Sequence, residues 1–223
     1  TVSIASTALG ELRAQAQPPI RQTATITPIA ISQPKSGVYI FDLGQNIAGF
    51  AQLQVRGARG TSVKMRFGEL LYPDGTLNVM TTVCGQIKKP NVGGPGAPSV
   101  AEQSDVYILR GSDKGQPPEI FTPRFTYHGF RFVEVTGYPG EPGKAAIRGF
   151  RVNSELTPAG SFSCSSELIN QIQKMIGQTF PSNLVGVQTD CPGRERFAYG
   201  DDITCACEAH LFNYDMAAFY TKT

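Results

Sequence analysis

No pair of cysteines stands at the C-x-x-C spacing of a zinc site, no run of like charge interrupts the chain, no apolar stretch is long, and histidine occurs only twice. Each absence excludes something. The five cysteines, Cys84, Cys164, Cys191, Cys205 and Cys207, are odd in number and scattered, which argues against a metal centre and against a dense disulfide framework. Cys205 and Cys207 are too close along a predicted helix to face each other and read as small apolar residues. Twenty basic residues against 18 acidic ones leave a net charge of +2 without clusters, so nothing marks a surface for nucleic acid or anionic lipid. No apolar run approaches the roughly 20 residues that span a bilayer, and the first residues lack the charged-then-apolar order of a secretion signal. Because the chain opens on Thr1 rather than Met, an upstream segment is expected. The compartment stays open.

What is present divides into two periods. With 40% apolar residues in 223, the chain can bury a substantial core as one large or two small domains. From about residue 38 to 153 the period is two: Ala51, Leu53 and Val55 alternate with Gln52, Gln54 and Arg56, and Val63, Met65 and Phe67 with Lys64 and Arg66. Val106 with Ile108, the run 130–136 and the run 147–152 add strands, separated by turns such as Pro73-Asp74-Gly75 and Gly137-Tyr138-Pro139-Gly140. Many short strands joined by Gly/Pro turns predict an antiparallel β-sandwich over residues 36–155. The stretch Lys88 to Ser99, with three prolines and three glycines, reads as an exposed loop.

After Pro158-Ala159-Gly160 the period becomes helical. Leu168, Ile169, Ile172, Met175 and Ile176 form one apolar face, with Ser165 or Ser166 available as cap and Glu167 at the positive end. A second helix is predicted from about Ile203 to Tyr220, with Ile203, Cys207, Leu211, Tyr214 and Ala218 on one side. Residues 1–35 fit neither pattern cleanly: Pro18-Pro19 reads as a linker, and 23–27 is a possible strand.

Between the two predicted helices lies the densest chemistry of the chain. Asp190, Glu195 and Asp202 supply carboxylates, Arg194 and Arg196 guanidinium groups, and Tyr199 a ring, all following the rigid Cys191-Pro192-Gly193 turn. Such groups suit sugar hydroxyls and a leaving oxygen. On spacing alone, however, an Asp-x3-Arg-Glu-Arg loop is more often an ion-paired entrance to a helix than an active site. His128 and His210 read as packing residues, Glu69 and Glu134 as salt-bridge partners of neighbouring arginines, and the aromatic run 121–132 as core.

The sequence 190–202, Asp-Cys-Pro-Gly-Arg-Glu-Arg-Phe-Ala-Tyr-Gly-Asp-Asp, resembles the acid-bearing motif of the bacterial α-L-rhamnosidases, inverting glycoside hydrolases with an (α/α)6 barrel. Residues 41–50, 67–71 and 123–135 are similar to the concanavalin-like sandwich that precedes that barrel, and residues 10–15 to the end of a further sandwich. The resemblance covers nearly the whole chain. It implies a multidomain architecture: an antiparallel β-sandwich (concanavalin-like or jelly-roll), then the first helices of a barrel at 156–223 that is incomplete in this chain.

By the same resemblance, Glu195 is the general acid, Asp190 and Asp202 hydrogen-bond rhamnose hydroxyls, Arg194 holds the sugar, and Tyr199 lies against it. Gly193, Ala198 and Asp201 depart from the family pattern, and Asp201 adds a carboxylate. A general acid working near neutrality must hold its proton above the ordinary carboxyl range; neighbouring carboxylates favour this and guanidinium groups oppose it.

Inverting hydrolysis also needs a base about 6.5–9.5 Å from the acid. The resemblance takes that base from a glutamate much later in the barrel. Twelve helices with their connections need on the order of 200 residues, and 63 follow Gly160. The expectation is a hydrolase of terminal α-L-rhamnosides that needs no cofactor or metal, takes a carbohydrate as partner, and requires the remaining barrel as continuing or separate chain. Residues 1–223 alone are expected to be inactive. Two alternatives stay open: a related hydrolase of another deoxy-sugar or uronic-acid glycan, and a noncatalytic carbohydrate-binding or assembly module.

Overall fold

The computed structural model describes residues 10–82, 103–112 and 115–222. Cys84 and the loop expected at 88–99 lie outside the described residues. Eight strands form one antiparallel sheet: β1 (Ile20–Ile26), β2 (Ala30–Lys35), β3 (Val38–Val55), β4 (Ser62–Gly68), β5 (Ser104–Ile108), β6 (Glu119–Phe121), β7 (His128–Thr136) and β8 (Ile147–Ser154). The main path runs β1-β8-β3-β7-β4-β5, with β2 and β6 also on β3.

The 18-residue β3 organises this sheet by exchanging partners halfway. Its first half pairs with β2 and β7, and its second half with β8 and β6. Near Gly49 the register passes from His128 of β7 on one edge to Arg151 of β8 on the other. A β-carbon at Gly49 would lie 1.8 Å from the carbonyl oxygen of Phe150, so only glycine allows the approach. Ile26 of β1 and Met65 of β4, far apart in strand order, share one core with Phe41, Leu53, Phe67 and Phe130. The sheet is therefore curled around that core, and the predicted sandwich is one continuous sheet. Each fully buried Phe or Leu there contributes about 1.5–3 kcal/mol.

Alternation on β3 and β4 follows the sequence pattern: Ala51, Leu53, Val55, Val63, Met65 and Phe67 are buried, while the intervening polar residues are half-buried. Two features differ from the pattern. The sheet starts at Ile20: the strand possible at 23–27 is present and reaches further back, into the stretch read as linker, as a mostly exposed edge strand. On β5 the apolar pair Val106 and Ile108 faces outward, while Tyr107 packs against the core and Asp105 against His128.

Asp42 and Arg131 pin β3 to β7 where their register slips. Nε and a terminal nitrogen of Arg131 donate to the two oxygens of Asp42, both at 2.8 Å. The Arg131 hydrogen bond outweighs the opposing effect of burial and holds the Asp42 carboxyl below its ordinary value.

The helical part is thinner. Helix α1 (Glu167–Thr179) follows the predicted apolar period but buries none of its residues; Leu168, Ile169, Ile172 and Met175 are exposed. The second predicted helix is two, α2 (Gly200–Asn213) and α3 (Ala217–Lys222). It breaks because Asp215 turns away: its N–H donates to the Thr157 carbonyl, and its side chain accepts the N–H of Ala217. Leu211, expected on the apolar face, is exposed, and His210 is the buried residue of α2. Leu184, Met216 and Phe219 form the small core beneath.

Candidate active site

The loop from Asp190 to Phe197 is closed on itself and seated on the sheet. Asp190 N–H donates to the Phe197 carbonyl at 3.0 Å, and the Phe197 N–H returns to Oδ1 of Asp190 at 2.9 Å. Within this clasp Arg196 takes φ 56°, a left-handed conformation costing a residue with a β-carbon about 1–2 kcal/mol. Its guanidinium lies 4.9 Å from the centre of the Tyr127 ring, which helps retain the turn. Burial pushes the Tyr127 phenol above its ordinary value, with Arg196 working against it.

Underneath, the Cys191-Pro192-Gly193 turn rests on Gly129 at the start of β7. A β-carbon there would come within 3.0 Å of both Gly193 N and Pro192 Cγ. Gln103 fixes this seat from below, its Oε1 accepting the Gly129 N–H at 2.9 Å. Arg194 extends the attachment by donating from Nε to the Thr81 carbonyl at 3.0 Å. That bond uses one of the five N–H donors of the guanidinium.

Cys191 ties the two carboxylate-bearing residues together. Its thiol donates to Oδ2 of Asp190 at 2.9 Å, and its sulfur accepts the backbone N–H of Glu195 at 3.3 Å. Burial alone would raise the Asp190 carboxyl. The Cys191 thiol and the N–H groups of Phe197 and Cys191 outweigh it, and the carboxyl lies below its ordinary value, ionised at neutral pH.

Asp190, Arg194 and Glu195 border one cavity of about 360 Å³. Glu69, just past the end of β4, lines it as well. Tyr199 and Asp202 do not line it: Tyr199 occupies the position just before α2, its ring 5.6 Å from that of Phe197, and Asp202 sits in the first turn of α2 with Asp201. Two carboxylates there suit the positive end of the helix. A second cavity of about 480 Å³ adjoins the first across Asp190, Cys191 and Pro192, and Glu69 lines both.

Glu69 is therefore the residue that sequence reasoning misplaced. In place of the expected arginine, its Oε1 accepts from the side-chain amide of Asn46 at 2.9 Å. The available signal was its place at a strand end beside Gly68, where a side chain can leave the sheet. Glu134 behaves as expected, 3.3 Å from Arg66. His128 is buried, stacked on Phe67 at 4.2 Å and 3.1 Å from Asp105, so it belongs to the packing. His210 is buried against Phe180 and hydrogen-bonds Tyr220 at 2.7 Å; burial lowers its pKa and favours the neutral ring. Of the aromatic run, Phe130 is core, whereas Phe125 is fully exposed.

Among the described residues, no three His, Cys, Asp or Glu side chains cluster to hold a metal ion, and no helix is long and apolar enough to cross a membrane. The architecture is thus a curled antiparallel sheet followed by helices, with Glu69, Asp190 and Glu195 around one cavity. The chain belongs to the bacterial α-L-rhamnosidase family: residues 32–153 match its concanavalin-like domain and residues 157–223 its 6 hairpin glycosidase domain.

Similar proteins agree. An α-L-rhamnosidase of Streptomyces avermitilis is 33% identical over 95% of this chain and 19% of its own length, and one of Formosa agariphila 32% identical over 95% and 21%. The α-L-rhamnosidase structure from Dictyoglumus thermophilum superposes with TM-score 0.80 at 39% identity, covering 95% of this chain and 22% of that one. The Streptomyces avermitilis enzyme complexed with L-rhamnose gives 0.80 at 32% identity, over 94% and 18%. The chain thus spans about a fifth of the length of the curated relatives it matches.

Proposed function

We propose that this chain supplies the proton-donating side of an α-L-rhamnosidase active site. The observation that carries the proposal is that Glu195, Asp190 and Arg194 border one cavity at the junction of sheet and helices. Glu195 acts as general acid on the glycosidic oxygen. Asp190, kept ionised by its thiol and N–H donors, accepts hydrogen bonds from the rhamnose hydroxyls. Arg194, anchored through Nε, offers further donors to the sugar. Tyr199 and Asp202 join from the start of α2 when substrate fills the space above the loop, the ring against the sugar face and the carboxylate on a hydroxyl.

Hydrolysis proceeds with inversion. Water attacks the anomeric carbon from the face opposite Glu195, a base in a later part of the barrel takes its proton, and Glu195 protonates the departing oxygen. The exposed apolar residues Leu168, Ile169 and Ile172 of α1 are where that barrel packs. Neither cofactor nor metal takes part.

The test uses the complete protein bearing this sequence, on an aryl α-L-rhamnoside beside Glu195→Gln. Undiminished turnover in the variant removes Glu195 as acid. Proton NMR of the first sugar released reads the stereochemistry, and release of α-L-rhamnose would contradict inversion.

A further inference from the structure

The larger cavity has no role in the acid chemistry, yet it shares a wall with it. Its volume of about 480 Å³ falls in the usual range of roughly 300–1,000 Å³ for a small-molecule site. Two surfaces distant in sequence build it: Gln45, Asn46 and Glu69 from the sheet, and Gln178, Thr179 and Asn183 from the end of α1 and the turn after it. Gln178 Nε2 reaches across to Gln45 Oε1 at 3.4 Å, so the sides are held together. Carboxamides, a hydroxyl and a carboxylate offer both donors and acceptors, which suits the hydroxyls of a saccharide. A flat aromatic group would find little to stack on. No aromatic ring is among the described residues lining this cavity, and Met175 is its one large apolar side chain.

Position completes the argument. Asp190, Cys191 and Pro192 separate the two cavities, and Glu69 stands at both, fixed by Asn46. We propose that the larger cavity binds the sugar on the far side of the scissile bond, with Glu69 accepting hydroxyl hydrogen bonds from it, so that the sheet selects a saccharide aglycone over an aromatic one. This rests on the rhamnosidase reading above and names the substrate class of that site.

The experiment compares kcat/KM on a rhamnosyl disaccharide and on an aryl α-L-rhamnoside, using the complete protein, Glu69→Gln and Gln178→Leu. Both variants are expected to lower the disaccharide-to-aryl ratio by about tenfold, the loss typical of an unpaired polar contact in a binding site. Gln178 lines the larger cavity and not the smaller one, so its agreement with Glu69 shows that the effect arises there and not from altered folding. Equal losses on both substrates, or a ratio within about twofold of the parent in either variant, overturn the inference while the rhamnosidase reading stands. A parent protein that cleaves neither substrate overturns that reading, and the inference with it.

Discussion

The sheet and the helical segment solve different problems. The sheet closes a core of Phe41, Leu53, Met65, Phe67 and Phe130 around itself and fastens its strands with buried or forked polar pairs. Among the described residues, the buried core of the helical segment is Leu184, Met216 and Phe219, with Leu156, Tyr214 and Tyr220 packed against it, and α1 leaves its apolar face exposed. Yet the carboxylates of the acid loop belong to the helical segment. The difference teaches that precision here is borrowed: the loop gets its geometry from Gly129, Gln103 and the Thr81 carbonyl, all on the sheet side. A lesion in the sheet should therefore act on stability, and one in the loop on turnover.

The largest expected effect is in the loop. Glu195→Gln should lower kcat on an aryl α-L-rhamnoside by about 10²–10⁴-fold while leaving the urea midpoint of unfolding unchanged. A matching loss of stability would break the division between scaffold and site. Next comes the sheet: Gly49→Ala puts a β-carbon against the Phe150 carbonyl and should cost about 3 kcal/mol in equilibrium unfolding. A neutral result would show that the β3 crossover is not tightly packed.

Cys191 sharpens the contrast, because it lies in the loop between the two cavities and is bonded to both Asp190 and Glu195. Cys191→Ala removes the donor to Asp190 and the acceptor for the Glu195 N–H, and should lower kcat/KM by about tenfold. Cys191→Ser, which keeps both bonds in kind, should recover most of it, and equal losses in the two variants would limit the thiol to packing. The smallest effect is expected at Asp42. Asp42→Asn should cost about 1 kcal/mol near neutrality, since the Arg131 pair is partly open to solvent. The folded carboxyl lies below its ordinary value, so its contribution is present above the unfolded pKa and lost as pH falls through the folded one. Stability curves of parent and variant should therefore converge toward acid, and parallel curves would show that the fork carries no net stabilisation.

Legibility in the sequence followed burial and distance. β3 and β4 were readable because one face is buried and alternation survives. β1 was legible only in part, as a possible strand at 23–27, because its edge position leaves most of its residues exposed. The break between α2 and α3 depends on Asp215 bonding to Thr157, some 58 positions earlier, which no local period records. In the loop, Asp190, Arg194 and Glu195 were legible as a motif, and the fold brings them to one cavity. Glu69 and Asn46 were invisible as cavity residues because the sheet delivers them from more than a hundred positions away.

The central claim is that Glu195 protonates the leaving oxygen, and a leaving-group series tests it most directly. Parent and Glu195→Gln forms of the complete protein would be assayed on aryl α-L-rhamnosides whose phenols range from strongly to weakly acidic. If Glu195 is the acid, the variant keeps much of its turnover on the most acidic phenols, which depart unaided, and loses progressively more as leaving ability falls. A loss of the same size across the whole series would contradict the account.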